Sequence, residues 1–277
     1  MTGEDGESLL GAGFVRDAGR AVGGALIFSL PMLMTMEMWQ LAFTMDPLRL
    51  ALLLIVAVPL LVGLAYIIGI EDRRTLRHST MDAFFALGIA AFTSTVILST
   101  FGVIGPGMSA DEIVRKIAMQ SVPAAIGALL ARSQLGSGSE DELGDDEETY
   151  WGELFLMAVG ALFLGFNLAP TEEMVLISYK MSEWHALALI AISIALMHGF
   201  VFAVEFKGGS ELSPDTPWWS ALLRFTLPGY AISALIALFI LWVFGRMDGL
   251  SLEMGVMAVV VLAFPNAVGA AAARLIL

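Results

Sequence analysis

Apolar runs of membrane-crossing length, separated by short polar stretches, set the pattern along this chain. About 20 consecutive apolar residues cross the hydrocarbon core as a helix. On run length and continuity the sequence predicts about eight transmembrane helices. Span 1 covers residues 16–44, with Pro31 in its interior, and span 2 covers 47–70. A charged loop at 71–78 leads to span 3, 81–104, which stops at Gly105-Pro106-Gly107. Span 4, 111–134, starts amphipathic (Asp111, Glu112, Arg115, Lys116) and is apolar after Ile117. Spans 5 to 8 cover 150–181, 184–205, 218–245 and 252–277, with a polar loop at 206–217.

The pattern recurs. At a shift of 136 residues, Gly160-Ala161-Leu162 falls on Gly24-Ala25-Leu26, and Thr171-Glu172-Glu173-Met174 on Thr35-Met36-Glu37-Met38. Met181 falls on Met45, Leu189 on Leu53, Leu196 on Leu60 and Gly199 on Gly63. At a shift of 142, Pro265–Ala270 falls on Pro123–Ala128, Arg274 on Arg132, and Gly249-Leu250-Ser251 on Gly107-Met108-Ser109. An internal duplication follows, and the expected fold is an all-α polytopic membrane protein of two parallel four-helix repeats. An even number of spans per repeat relates the halves by an axis along the membrane normal; were span 4 only interfacial, the repeats would invert. The expected organisation is a polar tail at 1–15, a first repeat at 16–135, an acidic linker at 136–150 and a second repeat at 151–277.

Composition supports the membrane class. The chain is 58% hydrophobic with a mean hydropathy of +0.82, whereas a soluble domain is nearer 45–50% apolar. With no cysteine, disulfides and thiolate metal sites are excluded. The polar first 20 residues lack an apolar core and cleavage site, so no signal peptide is expected and span 1 serves as the insertion signal. The net charge of −13 owes seven charges to residues 136–150 (Glu140, Asp141, Glu142, Asp145, Asp146, Glu147, Glu148), a solvated linker by the simplest reading. No basic patch points to nucleic acid. Lys and Arg number eight against five in favour of cytoplasmic N and C termini. Asp46, Asp111, Glu112, Glu183, Asp248 and Glu253 then form an outer acidic rim that concentrates cations. Small residues such as Gly19, Gly23, Gly24 and Gly269 suit close helix contacts and a homo-oligomer.

The chemistry centres on Asn167-Leu168-Ala169-Pro170-Thr171-Glu172-Glu173-Met174, inside an apolar run of about 28 residues, or about 42 Å if helical. Glu173 stands eight residues before Met181, about 12 Å below that end of a straight helix. An acid at such depth marks a functional site by default; the plainer reading is a neutral, hydrogen-bonded packing residue. Glu37 is its counterpart in the first repeat. Pro170 cannot donate to Phe166, so the sequence predicts a break at 167–170, with Asn167 capping a new half-helix. Pro31 does the same more mildly. Carboxylates, hydroxyls and freed carbonyls are hard oxygen ligands, and Glu37, Glu173, Glu172, Thr35, Thr171 and Asn167 form the expected ion-binding set, with Glu37 and Glu173 as metal ligands. His198 is a packed residue or a proton relay. Asp82 and Arg224, at equivalent positions, are an inter-repeat pair or snorkel to the headgroups.

The stretches 25–39, 169–174 and 128–134 resemble a family of bacterial integral membrane proteins to which no activity is attached. The resemblance covers nearly the whole chain and implies a multi-pass protein of the bacterial inner membrane. More weakly, Asn-x-x-Pro-x-Glu with a repeated acid resembles the alpha repeats of cation/Ca²⁺ exchangers. Paired glutamates with a membrane His resemble the CAAX-type glutamate peptidases. That pattern wants an Arg where Ile177 stands, and no enzyme is expected. The leading expectation is a cation channel or secondary transporter, divalent ions such as Ca²⁺ slightly favoured, with no covalent cofactor and with lipid and an inorganic cation as partners. The alternatives are a proton or monovalent-cation transporter and a non-transporting scaffold or regulator.

Overall fold

The computed structural model describes residues 4–68, 75–135, 150–203 and 218–276, and side chains within 18–68, 75–131, 150–200 and 219–273. The expected acidic linker, apart from Tyr150, and the loop at 206–217 lie outside the described residues, as does most of the charged loop at 71–78. Every described element is helical. α1 is Glu4–Leu33, α2 Met36–Thr44, α3 Pro47–Ile68, α4 Leu76–Thr100 and α5 Ala110–Leu135. α6 is Tyr150–Leu168, α7 Glu173–Lys180, α8 Glu183–Ala203, α9 Trp218–Ala221, α10 Leu227–Val243 and α11 Leu252–Ile276. Among the described residues seven helices are long and apolar enough to cross a membrane, and eight when Ala18–Leu33 with Met36–Thr44 counts as one broken span.

The chain forms two units, Met1–Ser137 and Gly138–Leu277. In the first, α5 is central: 72% of its apolar window is buried, against 28% for α3. In the second, α11 is the most buried span at 61%, against 17% for α8. α3, the most apolar span, faces outward, and α5 is less apolar yet most enclosed. In the first unit that inversion suits a lipid solvent; in the second the order is the reverse, the exposed α8 being less apolar than the enclosed α11. Outward residues must be apolar throughout, as exposed Ile55, Phe92 and Leu235 are, while enclosed helices carry the polar groups.

Span 4, the segment with the charged start, is α5, long and apolar enough to cross a membrane, and the charges at its start satisfy one another. Asp111 pairs with Arg115 at 2.8 Å and Glu112 with Lys116 at 2.7 Å, both one turn apart. Arg115 also donates to the Met45 carbonyl at 3.2 Å, and buried Lys116 to that of Val103 at 3.1 Å. Each unit is held by a glycine crossing. A Cβ on Gly24 would strike the Gly127 backbone and Ala131, and one on Gly160 would strike the Gly269 backbone and Ala273. Absent side chains let α1 meet α5, and α6 meet α11, backbone to backbone.

Three differences from the sequence reading concern element bounds. α1 is already helical from Glu4, well before the expected start at residue 16. Span 1 is two helices, α1 and α2, whereas the division of span 5 into α6 and α7 follows the break expected at 167–170. Span 7 is not continuous α-helix: a π-helical turn, Leu222–Thr226, joins α9 to α10.

Candidate functional site

The first break falls after Leu33, not at Pro31. Pro31 sits in the last turn of α1, which continues past it. The helix ends where side chains, two nearby and one distant, take its last carbonyls. The Thr35 hydroxyl donates to Pro31 O, Gln120 Nε2 to Met32 O at 3.1 Å, and Trp39 Nε1 to Leu33 O at 2.8 Å. Satisfied carbonyls let a helix stop within an apolar region. α2 then turns by 82°. The straight-helix premise behind the depth of Glu37 therefore fails. At that angle the nine residues of α2 advance only about 2 Å along the α1 axis. Glu37, half-buried in the first turn of α2, stays level with the end of α1.

The second break holds a larger correction. Asn167 does not cap a new helix: its Nδ2 donates to Phe163 O at 2.8 Å inside α6, which runs on to Leu168. Pro170 and Thr171 lie in the turn, and Thr171 Oγ1 donates to Leu168 O at 2.8 Å. α7 starts at Glu173, with Glu172 at the cap position making no side-chain cap bond. The Pro170 carbonyl in this turn already has a cation beside it: Arg246 Nη2, from the α10–α11 loop, donates to Pro170 O. Its Nη1 stands 3.8 Å from Glu172 Oε1. Glu37 and Glu173 are different, for among the described residues neither side chain has a hydrogen bond or ion pair within its own unit. Glu173 is exposed.

Among the described residues no group of three or more His, Asp or Glu side chains could hold a metal, so the expected pair of metal ligands gains no third acid. His198, on α8, meets the buried Thr226 hydroxyl at 3.1 Å from Nδ1. Thr226 closes the π turn, and the Tyr150 hydroxyl donates to Arg224 O within it at 2.9 Å. Asp82 lies on α4 of the first unit and exposed Arg224 in the π turn of the second. A cleft of about 540 Å³ opens between α2, the α4–α5 loop and the start of α5, lined by Met36, Trp39, Phe43, Phe101, Glu112 and Lys116 among others.

Sequence reading missed Gln120 and Arg246 as partners of the breaks. A lone amide inside the apolar part of span 4 was the available signal for the first. For the second it was an arginine directly after Gly245, where the other repeat has Val103. The bend has a direct test, aided by the absence of cysteine. Glu37→Cys is expected to react with a membrane-impermeant maleimide about as fast as Ser109→Cys in a loop. Protection of position 37, as for a straight helix reaching Met45, would contradict the 82° turn.

Residues 17–277 match the model of a family described as putative integral membrane protein (DUF2391). No curated protein and no solved structure matches the chain.

Proposed function

The chain belongs to that family of integral membrane proteins, and we propose that it moves cations across the membrane, taking them up at the two acid-bearing helix breaks. The observation that carries this reading is the state of Glu37 and Glu173. Each sits in the first turn of a short helix just after a break, and among the described residues neither is consumed by an ion pair or hydrogen bond within its unit. A scaffold that used these acids for internal packing would pair them.

The reading includes a duplication, which like local geometry supports. Thr35 N–H donates to Met32 O at 3.2 Å and Thr171 N–H to Leu168 O at 3.1 Å. Short helices end at Met45 and Met181 with cap ψ of 140° and 144°. Gly102 and Gly245 have φ of 71° and 70°, and Val103 and Arg246 donate to Leu98 and Leu241, both at 2.9 Å. Ser109 and Ser251 each accept an N–H three residues on at 3.2 Å.

The ion is loosely held in this reading. Neither unit gathers three acidic or imidazole ligands among its described residues, whereas a dehydrated Ca²⁺ takes about 6–8 oxygens. A partly hydrated monovalent cation is favoured over the chelated divalent ion that the sequence suggested. Bacterial inner-membrane location, cytoplasmic termini and homo-oligomerisation belong to the same proposal, resting on Lys and Arg placement and on exposed small residues such as Gly19. The test is flux in proteoliposomes of the purified protein, with K⁺, Na⁺, Ca²⁺ and H⁺ gradients at both voltage signs. A cation current above protein-free vesicles is expected. Absence of all four fluxes would reject transport and leave the scaffold.

A further inference from the structure

The two breaks do not carry the same charges. Register fixes which residues correspond. At the breaks the shift is 136, so Glu172 stands where the first unit has Met36, and Glu173 where it has Glu37. In the following loops, the matched left-handed glycines Gly102 and Gly245, and the matched N–H bonds of the next residues, place Arg246 where the first unit has Val103. The second unit therefore has one extra acid and one extra base at these positions, and Arg246 Nη1 stands 3.8 Å from Glu172 Oε1.

Resting on the transport reading above, we infer that Arg246 is a built-in counter-cation that cancels Glu172, so that each break offers one carboxylate, Glu37 or Glu173, to one cation. Charge supports this. Glu37 alone gives the first break −1. Glu172 and Glu173 with Arg246 give the second the same value. Arg246 is suited to the task. Its side chain is only 18% exposed, its backbone is anchored to Leu241 O, and its guanidinium reaches Pro170 O. Position 170 needs such a tie. Met34, its counterpart, donates its N–H to Leu30 O at 3.0 Å, and a proline has no N–H to donate. Glu172 is 84% exposed, so the pair acts by charge and adds little to stability. Glu172, a candidate ligand from the sequence, moves out of the ion path.

The experiment grafts the first unit's residues onto the second in the full chain: Glu172→Met, Arg246→Val and both together, with Glu173→Gln beside them. Flux in proteoliposomes is expected to stay within about twofold of wild type in the double variant, since the net charge is restored. Arg246→Val alone is expected to tighten apparent cation affinity about three- to tenfold, and Glu172→Met alone to weaken it by a like factor. Glu173→Gln should lose flux. A double variant as inactive as Glu173→Gln, or equal losses in Glu172→Met and Glu173→Gln, would overturn the assignment.

A second measurement stands apart from transport. In detergent at about 10 mM salt, where screening is weak, Glu172→Met should raise the melting temperature of the Arg246→Val variant and lower that of wild type. The same change in both backgrounds would reject the pairing even if flux is present. Wild type without flux would reject transport while leaving this pairing measurable.

Discussion

Replacing Glu37 and Glu173 together by glutamine is expected to cut cation flux at least about fivefold while the protein still elutes as a single species on gel filtration. Glutamine keeps the shape and most of the hydrogen-bonding capacity of glutamate and removes only the charge. A cation about 4 Å from a carboxylate gains about 1 kcal/mol in water and about 4 kcal/mol near a protein surface, so the loss lies between about fivefold and several hundredfold. Folding is expected to survive because among the described residues neither acid has a counter-ion within its unit that the change would orphan. Each single variant should show a partial loss, since each break contributes one carboxylate. Flux that persists in the double variant would move the ion path away from both breaks.

Gly160→Val is expected to destabilise the protein by about 3 kcal/mol or more, or to prevent its recovery as a monodisperse species in detergent. A Cβ there meets the Gly269 carbonyl and the Ala273 methyl. These are backbone and a short side chain on the most buried helix of the unit, so nothing flexible can swing aside. α6 and α11 must part, and the dispersion contacts along their crossing weaken together. Gly24→Val should behave alike against Gly127 and Ala131. Gly152→Val on the same α6 is the control, because nothing lies within 4 Å of a Cβ there, and it should melt within a few degrees of wild type. Equal melting of Gly160→Val and Gly152→Val would refute the backbone crossing.

The sequence by itself determined the class and most span limits. The predicted spans 47–70, 111–134 and 252–277 appear as Pro47–Ile68, Ala110–Leu135 and Leu252–Ile276. Such limits are legible because a helix in lipid satisfies its own backbone, so run length alone decides where it can exist. The recurrent Thr-x-Glu-Met was legible for the same local reason, as was a break near Pro170. Its detail was not. Asn167 found a carbonyl one turn back in its own helix, a nearer partner than the N–H groups of a helix yet to start.

Only the tertiary structure decided where α1 ends, how far α2 turns, and what fills the second break. A helix stops in apolar surroundings where its last carbonyls find other donors. Here Thr35, Trp39 and Thr171 are local donors, and one donor at each break comes from far along the chain. Gln120 reaches Met32 across 88 residues, and Arg246 reaches Pro170 across 76. The residues at each break carry no record of such partners. They exist only because α5 packs beside α1, and because the α10–α11 loop comes to lie beside the end of α6.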